Sequence, residues 1–209
     1  MFVTLEGIDG SGKSTQAALL ADSLGPDTLL LREPGGTEMG ERARALLMDP
    51  DLELDPTAEL LLFCAARAEL CARVIAPAAA AGRDVVCDRF IDSTAAYQGA
   101  GRGLGIEMVE GLNAVAVGES GPDLTLLLRL DPEEAGRRGQ LRLAAADPEG
   151  GADRFEAEGI SFQQRVAEAY EELAARHRDR IVVIDAEGPP ATVHERIAAA
   201  VADRRGAPA

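Results

Sequence analysis

The sequence is poor in basic and aromatic residues. Its 209 residues carry 36 acidic side chains against 21 basic ones, so the formal net charge is −15 at pH 7. Nucleic-acid polymers and anionic membranes bind broad positive surfaces, and neither partner is therefore expected. Tryptophan is absent, and only two tyrosines and five phenylalanines are present. A small anionic substrate stays compatible with this charge, because a local group of arginines can bind it.

Cysteines and long apolar runs are also scarce. Cys64, Cys71 and Cys87 are odd in number and match no zinc-binding spacing, which favours core packing in a reducing compartment over disulfides or metal. No apolar run approaches the length of a membrane span. The first predicted strand begins at Phe2, which leaves no room for a signal peptide. These features predict a cytoplasmic protein.

Short apolar runs alternate with amphipathic stretches, the pattern of a parallel sheet covered by helices. Strands are predicted over residues 2–6, 28–32, 84–87, 124–130 and 181–184. Helices are predicted over about 14–24, 38–48, 56–81 with a kink at Pro77, 107–117, 155–176 and 192–203. Gly99–Gly105 holds four glycines in seven residues, which predicts a flexible or tightly turned connection. We expect a single α/β domain over 1–209, with five parallel strands flanked by helices in three layers.

Residues 132–155 differ in composition from the rest of the chain. A stretch of small residues, 144–152, contains a proline and two adjacent glycines, and it is flanked by Arg137, Arg138, Arg142 and Arg154. This composition favours a mobile, arginine-bearing flap over about 137–155. The alternative is an ordinary solvent-exposed loop.

The glycine-rich segment from Gly7 to Ser14 matches the phosphate-binding pattern G-x-x-x-x-G-K-S. It follows a predicted strand and opens a predicted helix, which is the context that this motif requires. Lys13 is the only lysine in the chain, and its thin stem can reach between backbone amides to the outer phosphates of a nucleotide. Ser14 would offer its hydroxyl to Mg²⁺. The residues predicted to bind ATP here are Gly7, Ile8, Asp9, Gly10, Ser11, Gly12, Lys13, Ser14 and Thr15.

Further short motifs follow this loop along the chain. They are Arg32-Glu-Pro-Gly-Gly-Thr37, Phe63-x-x-x-Arg67, Asp88-Arg89-Phe90, Ser93-Thr-x-x-Tyr97-Gln-Gly99, Asp123-Leu-Thr125 and Asp153-Arg-Phe-Glu156. In this combination and order, over essentially the whole chain, they resemble the thymidylate kinase (dTMP kinase) family of P-loop nucleoside monophosphate kinases. The resemblance implies that ATP phosphorylates dTMP to dTDP by direct in-line transfer with Mg²⁺, and that the protein is a homodimer.

Phe63 and Arg67 lie four residues apart on one predicted helix, so they share a face. They offer an aromatic plate for a pyrimidine and a cation for its carbonyl oxygen, although a core phenylalanine beside a surface arginine fits the spacing equally well. The resemblance implies that thymine stacks on Phe63 and that Arg67 bonds its O4. It also implies that Pro34 shapes the thymine pocket, that Thr94 contacts base N3 and that Tyr97 lies against sugar C2′. Gln98 is implied to bind dTMP at the same helix end as Thr94.

Three charged residues are predicted to organise the acceptor. Asp9 could cap its own turn, but the resemblance implies that it holds the deoxyribose 3′-OH directly or through Mg²⁺. Asp88 ends a predicted buried strand, where a carboxylate can hold Mg²⁺ through water. Arg89 would bind the acceptor phosphate. A plain Asp88–Arg89 salt bridge is the alternative, but the carboxyl end of a central strand favours a functional site.

The phosphate loop itself holds no arginine at its variable positions, residues 8–11. In the resembling family a catalytic arginine comes either from this loop or from the flap, so the flap must supply it here. Arg154 and Arg142 are the predicted catalytic arginines, alongside Lys13, Asp9 and Arg89. Arg137 is predicted to lie near the adenine or the inner phosphates of ATP. An arginine delivered to a transferring phosphoryl group contributes on the order of 10³–10⁵ in rate.

Two alternatives are left open by the sequence. One is a kinase of the same fold for another nucleoside monophosphate, such as dUMP or a modified pyrimidine nucleotide. The other is a nucleotide-binding regulator without catalysis, which the presence of Asp9, Lys13, Asp88 and Arg89 disfavours. The absence of an Asn-Lys-x-Asp motif disfavours an ordinary GTPase.

Overall fold

The computed structural model describes residues 1–146, 154–155 and 158–206. Within these residues the strands are β1 (Phe2–Glu6), β2 (Leu29–Arg32), β3 (Val85–Asp88), β4 (Leu124–Arg129) and β5 (Ile181–Asp185). They form one parallel sheet in the order β2-β3-β1-β4-β5. This confirms the predicted α/β fold with five parallel strands.

The described helices connect these strands. They are α1 (Lys13–Leu24), α2 (Glu38–Met48), α3 (Pro56–Leu70), α4 (Ala76–Ala80), α5 (Ile91–Thr94), α6 (Ile106–Val117), α7 (Pro132–Ala146), α8 (Ile160–Arg176) and α9 (Pro190–Gly206). Two π-helical segments, Cys71–Ile75 and Ala95–Gly101, join α3 to α4 and continue α5. No helix in the described part of the chain is both long and apolar enough to cross a membrane.

The sheet is buried on both faces, as its continuous apolar strands require. The buried apolar residues form two clusters, a larger and a smaller one. Alternate residues of β3 point to opposite faces of the sheet: Val86 packs in the larger cluster, whereas Val85 and Cys87 pack in the smaller one. The three cysteines are free and buried, in agreement with the predicted packing role. The central strands β1 and β3 thus bring the phosphate loop and Asp88 to one rigid edge of the sheet.

The predicted helix boundaries differ from the structure at two proline- or glycine-rich places. The predicted kink at Pro77 is a π-helical turn over Cys71–Ile75, which lies before the proline. Pro77 cannot donate a backbone hydrogen bond, and its ring crowds the carbonyl of the residue four earlier. Gly99 and Gly101, predicted to lie in a turn, belong to the π-helical segment; a Cβ on Gly101 would lie 2.7 Å from the Phe162 ring.

The predicted flap also differs. Its first part, residues 137–146, is the end of α7, a helix that the sequence analysis did not predict. Residues 147–153, which include most of the small-residue stretch 144–152, lie outside the described residues. The following helix begins at Ile160 rather than at the predicted Phe155, and Gly159 is its N-cap.

Candidate active site

The candidate site is a cavity of about 500 Å³ at the carboxyl ends of β1 and β3. Gly12 and Lys13 of the phosphate loop line one part of it, and Phe63 and Tyr97 line another. The structure therefore brings the two predicted halves of the site into one continuous space. A smaller cavity of about 310 Å³ adjoins the loop on the side of α9.

Lys13 lies across the phosphate loop. Its Nζ donates to the carbonyl oxygen of Ile8 at 2.8 Å and to Ser11 Oγ at 3.4 Å. Only 6% of the residue is exposed. Burial, reinforced by the positive charge of Arg89, lowers the pKa of Lys13 to about 8. A bound phosphate would reverse this shift, because an anion beside the ammonium favours its charged form.

The glycines of the loop are required by contact as well as by conformation. Gly10 has a φ of +83°, and a Cβ on it would lie 2.0 Å from the carbonyl oxygen of Ala135 in α7. A Cβ on Gly7 would lie 2.6 Å from the Leu128 carbonyl oxygen. The loop therefore packs directly against the end of β4 and the start of α7, and side chains at these positions would push it out of place.

Asp9 faces the half of the cavity that Phe63 and Tyr97 line, which is the predicted acceptor half. Its Oδ1 accepts from Arg89 Nη2, and its Oδ2 accepts from the Tyr97 hydroxyl at 2.9 Å and from Gln163 Nε2 at 3.5 Å. Burial disfavours the charged carboxylate, but Arg89 and Lys13 more than offset it, so the pKa of Asp9 lies below its ordinary value. These bonds support an organising role for Asp9 in the acceptor site rather than the alternative of a self-capped turn.

Arg89 joins the phosphate loop to the acceptor half. Its backbone has a φ of +69°, which is unusual for a residue other than glycine. Its Nη1 donates to the Gly7 carbonyl oxygen at 3.2 Å and to Ser93 Oγ at 3.0 Å, and its guanidinium lies 4.9 Å from the centroid of the Tyr97 ring. These contacts hold the guanidinium in the cavity, as a phosphate-binding role requires.

Ser14 and Asp88 lie together at the opening of α1. Ser14 Oγ donates to Asp88 Oδ2 at 2.5 Å, while Asp88 Oδ1 is buried without a hydrogen-bond partner among the described residues. A hydroxyl and a carboxylate with an unused buried oxygen are the hard donors that Mg²⁺ prefers. The described residues contain no group of three or more potential His, Cys, Asp or Glu ligands.

Aromatic residues dominate the acceptor half of the cavity. Phe63, Phe90, Tyr97 and Phe155 line it together with Pro34. The rings of Phe63 and Tyr97 each lie 6.0 Å from that of Phe155, both in edge-on geometry. Such an arrangement leaves flat apolar surface for a planar base.

Arg67 lines this pocket but is engaged mostly with protein. It is 1% exposed, pairs with Glu33 through Nε and Nη2, and donates from Nη1 to Asn113 Oδ1 at 2.6 Å. Its Nη2 also donates to the Phe90 carbonyl oxygen at 3.0 Å and to Thr94 Oγ1 at 2.9 Å. Arg67 also lines the cavity, and its predicted contact with O4 stays a prediction.

Two of the predicted flap arginines lie away from the phosphate loop. Arg154 donates to Glu59 Oε2 at 3.1 Å and to the Leu47 carbonyl oxygen at 3.3 Å. The prediction had placed this arginine at the transferring phosphoryl group, but the structure places it at Glu59 instead. Arg137 is paired with Glu134 on the outer side of α7, with 66% of its side chain exposed. The side chain of Arg142 lies outside the described residues.

Several residues that line the site were not predicted. Arg44 of α2 and Arg138 of α7 both line the main cavity, and Arg138 lines the smaller one as well. Gln163 contacts Asp9 from α8, and Phe155 forms part of the acceptor pocket. Arg44 and Gln163 belong to none of the recognised motifs, and Phe155 was placed at the start of a helix. Only the tertiary packing of α2, α7 and α8 brings them here.

Comparison with known proteins identifies the family and the fold that this chain resembles. Residues 5–197 match the family model described as thymidylate kinase. The chain is 49% identical over 205 residues to a thymidylate kinase of Desulfosudis oleivorans, covering 96% of both chains, and 48% identical over 207 residues to one of a Synechococcus species, covering 98% of this chain and 95% of that one. The crystal structure of thymidylate kinase from Ehrlichia chaffeensis matches with a TM-score of 0.78 at 32% identity, covering 96% of this chain and 98% of that one.

Proposed function

The chain belongs to the thymidylate kinase family, and on that premise we propose that its cavity transfers the γ-phosphoryl group of ATP directly, in line, to dTMP. Phosphorylation of dTMP to dTDP with ATP is the activity of this family, and the chain is a phosphotransferase of that kind. The observation that carries the proposed mechanism is the continuity of the cavity. Lys13 and Gly12 lie in the same space as Phe63 and Tyr97, so donor and acceptor can meet without leaving the protein.

Phosphoryl transfer needs positioning and charge neutralisation more than covalent chemistry. Lys13 and the amides of the phosphate loop would hold the outer phosphates of ATP, and the N-terminus of α1 adds partial positive charge. Arg138 lines both cavities and would contact the same nucleotide. Arg142 stays the predicted catalytic arginine of this chain. Arg137 stays the predicted partner of the adenine or the inner phosphates of ATP.

On the acceptor side, Arg89 and Arg44 would bind the phosphate of dTMP, since both guanidinium groups line the cavity. Asp9 and Tyr97, which are hydrogen-bonded to each other, would contact the deoxyribose. The base would stack on Phe63. Thr94 and Gln98 are both 1% exposed cavity-lining residues, consistent with the predicted contacts at this end of the pocket.

Ser14 and Asp88 are the residues that would hold Mg²⁺, because they pair a hydroxyl with an unpartnered buried carboxylate oxygen. The third predicted metal residue, Asp9, already accepts hydrogen bonds on both oxygens, so we assign it to the acceptor instead. When bound, Mg²⁺ would neutralise charge on the phosphates.

The proposal is tested by measuring ADP release with ATP and each of dTMP, dUMP, TMP in its ribo form, dCMP and dGMP. We expect strong turnover with dTMP and weak turnover with the ribo form. Preference for dUMP would support the alternative kinase, and turnover with none of the acceptors would support the regulator. Preference for dCMP or dGMP would contradict the proposal.

A pair of arginine variants separates this active site from a contaminating activity. Arg89→Ala is expected to lose transfer while ATP binding, measured by calorimetry, is retained. Arg129→Ala is the matched control, because Arg129 is half exposed and pairs with Glu171 on the surface. Near wild-type turnover by Arg89→Ala would overturn the assignment of the acceptor phosphate.

The predicted homodimer is also part of this proposal. Helix α3 packs against both α2 and α6. These three helices expose the apolar residues Leu46, Leu61, Met108 and Val115. Association of two copies would remove these side chains from water. The cytoplasmic location stays a prediction from the sequence.

A further inference from the structure

Glu59 is a buried carboxylate that contacts Gln98, one of the residues lining the cavity. It lies in the first turn of α3, four residues before Phe63, and is 0% exposed. Its Oε1 accepts from Gln98 Nε2 at 2.9 Å and from Arg102 Nε at 3.1 Å. Its Oε2 accepts from Arg102 Nη2 at 3.3 Å and from Arg154 Nη2 at 3.1 Å. Both oxygens therefore face only donors from other elements.

The two arginines that converge on Glu59 also flank Phe155. The guanidinium carbon of Arg102 lies 5.5 Å from the centroid of the Phe155 ring, and that of Arg154 lies 6.0 Å from it. Arg102 reaches past this ring to form a salt bridge with Glu158. The ring itself, 7% exposed, contacts Phe63 and Tyr97 in the acceptor pocket.

Among the described residues, this group pairs two carboxylates with two guanidinium groups. Glu59 and Glu158 face Arg102 and Arg154, and both arginines are less than a fifth exposed. Removing one partner of a buried ion pair is costly because the remaining charge is left without compensation. Without the Glu59 charge, Arg102 and Arg154 would lose the buried carboxylate that they share, and with it the contact that holds both guanidinium groups beside the Phe155 ring.

We propose that Glu59 is a positioning residue for the acceptor nucleotide: by holding Arg102 and Arg154, it fixes Phe155 as a wall of the pocket beside Phe63 and Tyr97. This inference deepens the proposed function and rests on it. It gives Arg154 a different role from the predicted catalytic one, namely support of the acceptor pocket.

The first test replaces the carboxylate by an isosteric amide, Glu59→Gln, which must place an N–H₂ group against donors whichever way it is oriented. We expect Kd for dTMP, measured by calorimetry, and KM for dTMP to rise by about 10- to 100-fold, the range of a lost hydrogen bond to a charged group. Kd and KM for ATP should change by less than about 3-fold. Glu69→Gln is the matched control, since Glu69 lies on the same helix and pairs with the exposed Arg73.

Four further variants separate positioning from general stability. Glu59→Asp keeps the charge and should recover part of the dTMP affinity. Glu59→Gln introduced into Phe155→Ala should add little to the loss already caused by Phe155→Ala. If Glu59→Gln does not fold, Arg154→Ala carries the test: a supporting role raises KM for dTMP with kcat largely kept, whereas the predicted catalytic role lowers kcat with KM kept.

Equal loss of ATP and dTMP affinity, unchanged dTMP affinity, or additive effects of Glu59→Gln and Phe155→Ala would each overturn the inference. In those cases wild-type turnover of dTMP would still support the proposed function. If the wild-type protein neither bound nor phosphorylated dTMP, the proposed function and this inference would both be wrong.

Discussion

Lys13 combines a low pKa with near-complete burial. Its pKa of about 8 means that about half of its amines are neutral at pH 8, whereas an ordinary lysine there is almost fully charged. The neutral amine is the form that reacts with acylating reagents. Since Lys13 is the only lysine, the chain has only one other primary amine, at its N-terminus.

We therefore predict that ATP protects Lys13 from acetylation at pH 8. Saturating ATP should slow the reaction by about 10-fold or more, because it occupies the loop and restores the charged ammonium. The rate is measured by mass spectrometry of the peptide that contains Lys13, with the N-terminal amine as the internal reference. Alone, dTMP should protect far less, and equal protection by the two nucleotides would contradict the assignment of Lys13 to the donor side.

Individual site residues were predictable where their identity alone dictates a chemical task. Lys13 and Ser14 follow from the phosphate-loop pattern, and Arg89 from its place at the end of a central strand. Glu59 and Arg44 were not predicted, because a glutamate or an arginine on an amphipathic helix is normally solvated. Nothing in the local sequence indicates that Glu59 is fully buried. Its role depends on Arg102 and Arg154, which are remote from it in the sequence.

Glu6 links three elements at the end of β1. It is 0% exposed and accepts hydrogen bonds from the Phe90 backbone N–H at 2.8 Å, from Ser93 Oγ at 2.5 Å and from the Tyr170 hydroxyl at 3.1 Å. Burial, reinforced by the negative charge of Asp92, raises the pKa of Glu6 from 4.5 to about 7. The folded protein therefore keeps a proton that the unfolded chain releases between these two values.

This shift predicts a specific pH dependence of stability. A raised carboxyl pKa contributes stability that is complete below about pH 4.5 and is lost as the pH rises through about 7. The comparison is with Glu6→Gln, whose amide can accept from the Phe90 N–H and donate to a neighbouring hydroxyl. The free energy of unfolding of the wild type, relative to this variant, should fall by on the order of 3 kcal/mol between pH 4.5 and 8.

Chemical denaturation of both proteins across this range measures the difference, and the titrations of groups remote from Glu6 cancel in it. A difference that stays constant with pH would show that Glu6 titrates normally in the folded state. A difference that grows with pH would mean that the carboxylate is stabilised by its neighbours rather than disfavoured by burial.

The strands were predicted more accurately than the irregular helices. Each predicted strand overlaps an observed one, because continuous apolar runs between turn residues are specific to buried parallel strands. The π-helical segment Ala95–Gly101 was not predicted, since its two glycines indicate a turn when read locally. Position 101 requires glycine because the Phe162 ring packs where a side chain would lie. This contact forms only when α8 docks.

The few aromatic residues are concentrated around the acceptor site. Of the seven in the chain, four line the cavity; Phe162 packs against Tyr97, and Tyr170 bonds Glu6. Phe2 contacts the Phe90 ring, at a centroid distance of 5.0 Å. The remaining core is aliphatic. The low aromatic content of the chain therefore reflects an aliphatic core, whereas the site contains most of the aromatic residues.

The charge distribution explains how an acidic protein can bind two polyanionic nucleotides. The cavity is lined by six basic residues, Lys13, Arg32, Arg44, Arg67, Arg89 and Arg138, against three acidic ones, Asp9, Glu33 and Asp88. The formal net charge of the chain is nevertheless −15. A local positive site within a negative field attracts small phosphates while long nucleic acids are repelled. This agrees with the expectation from composition, and the residues that carry it could be located only in the fold.

The exposed apolar residues on α2, α3 and α6 lead to a prediction about assembly. Val115 is 83% exposed, so in a monomer its replacement by arginine should leave stability almost unchanged. In a dimer formed through these helices, the same change would bury a charge without a partner and weaken association by about 10-fold or more. We expect sedimentation velocity at micromolar concentration to show a wild-type dimer and a Val115→Arg monomer of normal melting temperature.

Leu30→Arg, at the exposed edge strand β2, is the matched control and should remain dimeric. Dissociation by Leu30→Arg but not by Val115→Arg would place the interface at the sheet edge, and a monomeric wild type would contradict the proposed homodimer.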